Sequence, residues 1–159
     1  MFAQDFWQRT NGPYGDYITG LAINSSGHIF AGTGTGSGVF RSTDNGDNWT
    51  AKNTGFTNPL ITVTSLAINA SGHIFSVNDW EIFKSMDNGE SWARVYSSST
   101  TVVCLGINSS GHIFAGTDAG IVRSTDNGNN WTPAGLMNTT VLSLAINSNL
   151  QITVIHGRH

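Results

Sequence analysis

The sequence predicts an all-β fold assembled from repeated four-stranded units, and three observations carry that expectation. The pattern LAINSSGHIFAGT at Leu21–Thr33 returns as LAINASGHIFSVN at Leu66–Asn78, as LGINSSGHIFAGT at Leu105–Thr117 and more faintly as LAINSNLQITVIH at Leu144–His156. Between these copies stand the octets STDNGDNW (Ser42–Trp49), SMDNGESW (Ser85–Trp92) and STDNGNNW (Ser124–Trp131). The leading leucines recur at intervals of 45, 39 and 39 residues, and Asp44, Asp87 and Asp126 at intervals of 43 and 39. A period near 40 with short strand-like runs is the size of one propeller blade. Helical repeats of that period need amphipathic runs of ten or more residues, and this sequence has none.

Each repeat reads as four strands. Strand A ends in LAIN, apolar at alternate positions, and a Ser-Gly or Ala-Ser-Gly turn leads out of it. Strand B is HIFAGT or its variants, and strand C is GVFRS, EIFKS or GIVRS. Strand D is expected to begin at the octet tryptophan. Asn45-Gly46, Asn88-Gly89 and Asn127-Gly128 link C to D, and Asn-Gly is a strong hairpin signal because both residues tolerate positive φ. The predicted organisation is one domain over 1–159, with blades at 17–53, 61–96 and 101–134 and a partial blade at 140–156. Asp5-Phe6-Trp7 aligns with Asp47-Asn48-Trp49, so residues 1–10 read as an orphan outer strand.

The octets fit S-x-D-x-G-x-x-W and resemble the Asp-box, or BNR, repeat of sialidases, some endoglucanases, sortilin-like receptors and photosystem assembly factors. That resemblance implies a β-propeller and names no activity. The box residues Ser42, Asp44, Gly46 and Trp49, Ser85, Asp87, Gly89 and Trp92, and Ser124, Asp126, Gly128 and Trp131 are expected to be structural. Their carboxylates can accept backbone N–H groups of their own turns, and their tryptophans can cover the seam at a blade edge.

Composition narrows the function classes. Charged residues make up 11% of the chain and the formal net charge is −3, which argues against nucleic acid as a partner. No run approaches the roughly 20 apolar residues that cross a bilayer as a helix, so no membrane partner is expected. The first residues lack the basic and apolar regions of a secretory signal, while the family resemblance leans toward a secreted or periplasmic location. The single Cys104 excludes an internal disulfide and aligns with Ser65 and Ser143, as a packed small side chain. Six sequons (Asn24, Asn48, Asn69, Asn108, Asn130 and Asn138) follow from repetition of Asn-rich turns.

Candidate chemistry is sparse. His28, His73 and His112 occupy equivalent places after the A–B turns, so blade symmetry spreads them apart; no metal site and no cofactor are expected. Arg41, Lys84 and Arg123 likewise precede each box and report the repeat, not the convergent arginine triad that a sialidase resemblance would imply. An endoglucanase-like reaction needs two facing carboxylates roughly 5–10 Å apart. Asp79 and Asp118, both on B–C loops opposite the boxes, are the pair to test as catalytic residues. The B–C and D–A loops break the repeat, which marks them for function. Trp80, Asp79, Asp118, Phe56, Tyr96 and Met137 are the ligand-binding candidates, with Pro59, Leu60, Leu136, Tyr14 and Tyr17 nearby. Aromatic and polar groups mixed on one face suit a sugar or peptide.

The expected function is a non-catalytic binding or scaffold module, with carbohydrate as first ligand class and protein as second. The alternatives are glycoside hydrolysis and a fragment of a longer propeller. Unfinished blades at both ends invite self-association into a homodimer, since raw strand edges pair readily; closure of one chain into four blades is the competing solution.

Overall fold

A computed structural model of the chain describes residues 10–13, 17–58, 60–146 and 152–156, the last five through their backbone. Sheet I contains β1 (Ile18–Ile23), β2 (Ile29–Thr33), β3 (Val39–Ser42) and β4 (Thr50–Ala51). Sheet II contains β5 (Ser65–Ile68), β6 (Ile74–Asn78), β7 (Glu81–Ser85) and β8 (Ala93–Ser97), and sheet III contains β9 (Val102–Ile107), β10 (Ile113–Thr117), β11 (Gly120–Ser124) and β12 (Thr132–Gly135). A hairpin of β13 (Val141–Ile146) and β14 (Ile152–His156) follows. Every sheet is an antiparallel meander in chain order, and equivalent pairs share one register: Leu21 opposite Ala31, Leu66 opposite Ser76, Leu105 opposite Ala115 and Leu144 opposite Val154. The expected outer strand over 1–10 lies outside the described residues apart from Thr10, as do Tyr14 and Pro59.

The sheets stack through their first strands, β1 on β5, β5 on β9 and β9 on β13. Alternation then sends neighbouring side chains of each strand to opposite seams. On strand B, Phe30 joins the seam between sheets I and II with Ile74, Phe83 and Trp92, while Phe75 joins the next seam with Ile113 and Val102. Phe114 repeats this under the final hairpin with Ile121 and Val141. Phe30 and Phe75 each lodge against the box glycine of the next sheet, where a Cβ on Gly89 would stand 3.1 Å from Phe30 and one on Gly128 would stand 2.9 Å from Phe75. A strand period of two thus supplies both halves of every seam from one sequence pattern.

The box turns build themselves around their serines. Ser42 Oγ donates to Asp44 and accepts the Gly46 N–H at 2.8 Å, and the same bonds recur at Ser85 and Ser124. Asp44 Oδ1 accepts the Asn48 N–H at 2.9 Å, as Asp87 accepts Ser91 and Asp126 accepts Asn130. Asn45, Asn88 and Asn127 lie at φ of 57°, 60° and 61° with their glycines also positive, as the Asn-Gly pairs predict. The connection is longer than a two-residue hairpin, however: strand C ends at the box serine and strand D begins one residue after the tryptophan, because the box spends its intervening residues on these internal bonds. Side-chain and backbone donors of Asn130 lead the causes that hold the Asp126 carboxyl down at about 2, and Asp44 and Asp87 are lowered for the same reason. A depressed folded-state pKa adds stability above the ordinary carboxylate value, which is lost as pH falls through the folded value. The melting temperature should therefore fall between pH about 4 and about 2, and Asp126→Asn should flatten that fall; a variant with the parent's acid profile would refute this assignment.

Repeat-equivalent polar residues, read from the sequence as mere echoes of symmetry, join one sheet to the next. Asn24 Nδ2 donates to Asn88 Oδ1 at 2.8 Å, and Asn88 Nδ2 lies 2.9 Å from His28 Nδ1. Asn69 and His73 hold Asn127 in the same way at 2.9 Å each. Arg41 donates to the Asn88 carbonyl at 2.7 Å and Lys84 to the Asn127 carbonyl at 3.0 Å. Among the described residues no cluster of three or more His, Cys, Asp or Glu side chains is placed to hold a metal ion.

Candidate functional site

The A–B turns and boxes occupy one end of the stack, which leaves the B–C and D–A loops to form the other. At that loop end the chain is woven across the seams by backbone bonds. Gly38 donates to Ile61 and Ile61 to Gly36 at 3.0 and 3.1 Å, joining the B–C loop of sheet I to the segment entering sheet II. Val102 donates to the Asp79 carbonyl at 2.7 Å, and the Asp118 N–H donates to the Thr101 carbonyl at 3.1 Å. Both B–C loop aspartates are thereby fastened through their backbones to adjacent residues at the start of β9, although they belong to different sheets. Their side chains are exposed.

Two clefts open here. The first holds about 70 Å³ and is walled by Trp80, Asp79, Glu81, Leu60 and Thr57. Asp79 takes φ of 50° at the tip of its turn, and Trp80 beside it is 54% exposed and lines a cleft shared with Leu60, 73% exposed. Glu81 closes one side, held by Arg94 at 2.6 Å and by the Thr57 hydroxyl at 3.2 Å. The second cleft, about 170 Å³, lies between sheets II and III and is lined by Tyr96, Met137, Thr100, Ser98, Ala119 and Pro133. Leu136 and Asn138 sit at φ of 51° and 59°, and this sharp turn leaves Met137 exposed. Tyr17, with its hydroxyl donating to the Gly34 carbonyl at 3.1 Å, also reaches solvent at this end.

The candidate residues thus divide. Trp80, Asp79, Asp118 and Met137 stand exposed on the loop end. Phe56 and Tyr96 pack against box tryptophans: Phe56 stacks on Trp92 with centroids 5.0 Å apart and meets Phe83 edge-on at 4.9 Å, and Tyr96, which also walls the second cleft, leans on Trp131 at 5.2 Å. These rings arrive from the strand D end of one sheet and cap the box tryptophan of the next. Cys104 is half-buried beside Val141, and burial pushes its thiol pKa up, which leaves it protonated and a poor nucleophile.

The profile of the DUF6242 beta propeller domain matches residues 17–149. The chain belongs to this family. No curated protein matches the DUF6242 chain significantly. Among solved structures it superposes on the extracellular domain of BT4673 from B. thetaiotaomicron with a TM-score of 0.75 at 13% identity, over 92% of this chain and 21% of that one. An ancestral GH74 enzyme gives 0.71 at 21% identity, over 87% of this chain and 22% of the other. YCF48 bound to D1 peptide gives 0.72 at 17% identity, over 89% and 48%. These identities speak to fold alone. The DUF6242 chain spans about a fifth of the first two proteins and about half of the third.

Proposed function

We propose that this DUF6242 domain is a non-catalytic binding module of the Asp-box kind, that 1–159 act as one domain, and that it takes carbohydrate at its loop end. The observation behind this reading is Trp80, a large aromatic residue left more than half exposed at a cleft that also offers Asp79, Glu81 and Thr57. A planar apolar face with acceptors beside it suits a sugar ring, whose C–H face stacks while its hydroxyls donate. A secreted or periplasmic location fits such a role, and the extracellular placement of the BT4673 domain supports it. On a glycan array the parent chain should give a defined set of signals. Trp80→Ala should weaken the strongest of them at least tenfold, the scale of a buried aromatic anchor. An array on which the parent chain stays blank sinks the carbohydrate reading; a peptide ligand, as YCF48 has, is then next.

One observation favours glycoside hydrolysis as a second reading. Asp79 and Asp118 hang on the adjacent residues Val102 and Thr101, so the fold gathers two exposed carboxylates at one end, and a GH74 enzyme shares the architecture. Turnover of a sialoside or glucan, abolished by Asp79→Asn and by Asp118→Asn, supports it. A parent chain without turnover ends it.

A further inference from the structure

The first face of sheet I is built as half of a seam. Ile18, Leu21 and Ile23 are 41%, 63% and 65% exposed, yet Val63, Val102 and Val141, which align with Ile18, are all at 0%. Leu66, Leu105 and Leu144, which align with Leu21, pack into the three seams, as do Ile68, Ile107 and Ile146 at the place of Ile23. Ile74 and Ile113 are fully buried where Ile29 is only half-buried. Asn45 is exposed, without the Asn and His partners that hold Asn88 and Asn127. Thr10 stands against Gly46 where Lys52 stands against Gly89, and between Thr10, Pro13, Leu21, Ile29 and Trp49 an apolar groove of about 260 Å³ remains. At the far end the outward residues of β13 are uncovered: Ser143 and Ala145 are exposed where the aligned Ser65, Cys104, Ala67 and Gly106 are not.

We propose that a second copy of this chain docks on the first face of sheet I through its β13–β14 hairpin, and that two such seams close a ring of two chains. The occupant is argued from continuity. Three seams inside the chain already join this type of face to that type of strand pair, and the exposed halves are the next pair in the series. The proposal is independent of any ligand at the loop end.

Light scattering on a sizing column should give a mass twice the chain's 17.0 kDa. The seam itself is tested by Leu21→Cys with Ala145→Cys in a Cys104→Ser background. In the last internal seam a Cβ on Gly106, which aligns with Ala145, lies 3.7 Å from Leu144 Cβ, within the range that a disulfide spans. A covalent dimer formed by the double variant and by neither single one is the expected result. A parent chain that stays monomeric at high concentration, a covalent monomer, or a dimer linked by Leu21→Cys alone overturns the proposal. Thr153 pairs with Ala145 and aligns with Phe30, Phe75 and Phe114, so Thr153→Phe restores the missing wedge and should tighten the dimer about tenfold or more; an unchanged dissociation constant also counts against the seam.

Discussion

Trp92→Ala should destabilise the protein by about 3–5 kcal/mol, the cost of deleting a large aromatic from a closed core, whereas Trp49→Ala should cost only ~1–2 kcal/mol from lost apolar area. The two residues hold the same place in the box, but their indole N–H groups bond differently. Trp49 Nε1 donates to the Gly46 carbonyl, and Trp92 Nε1 donates across the seam to the Lys52 carbonyl at 2.8 Å. Their neighbours differ. Trp92 is 4% exposed, stacked by Phe56 and packed among Phe30, Val63 and Phe83. Trp49 lines the uncovered groove of sheet I. Against a total stability of roughly 5–15 kcal/mol, the first variant should lose much of its folded population at room temperature and the second should not. Urea midpoints for the pair, taken dilute enough that the chain is monomeric, decide it, and equal losses there would mean that the seam does not carry the difference. Trp49 would join Trp92 in sensitivity only if a neighbour covers its groove, so the dimer's concentration dependence belongs in the same measurement.

Gly55→Ala should be nearly as damaging, at ~1–2 kcal/mol for a left-handed backbone and a further ~1–3 kcal/mol for overpacking. Gly55 has φ of 95°, and a Cβ there would stand 2.2 Å from the Trp92 carbonyl oxygen. That carbonyl cannot retreat freely, because the Trp92 N–H is bonded to the Thr54 carbonyl at 2.9 Å and its ring is clamped by Phe56. Gly27→Ala is the control. Its φ is 80° but no atom lies within 4 Å of the added methyl, so only the conformational cost applies. A Gly55 variant no worse than the Gly27 variant would show that the seam yields to the extra atom.

Much of this architecture was legible because propeller-like repeats write the same instruction several times. The alternation in LAIN and HIF sets which residues face which seam, and the Asn-Gly pairs announce their positive φ in advance. The box bonds follow from residue types, since a buried serine with an aspartate two positions on has few other partners. Less legible were contacts whose partners lie one whole repeat away. Nothing local to His28 or Arg41 says that the box near Asn88 receives them; their recurrence at His73 and Lys84 was the available signal, and it marks a joint between units as readily as a symmetric ornament. Phe56, in a loop, and Tyr96, near the end of β8, carry no local sign that each ring meets the box tryptophan of the next sheet.

The sequence by itself determined the strands, their order and register, the box turns and the apolar character of each seam, all of which depend on residue types within one repeat period. Only the tertiary structure decided which copies of a repeated residue are covered. Leu21 and Leu66 are the same letter in the same pattern, and one is exposed while the other is packed, because burial depends on whether a neighbouring sheet stands opposite.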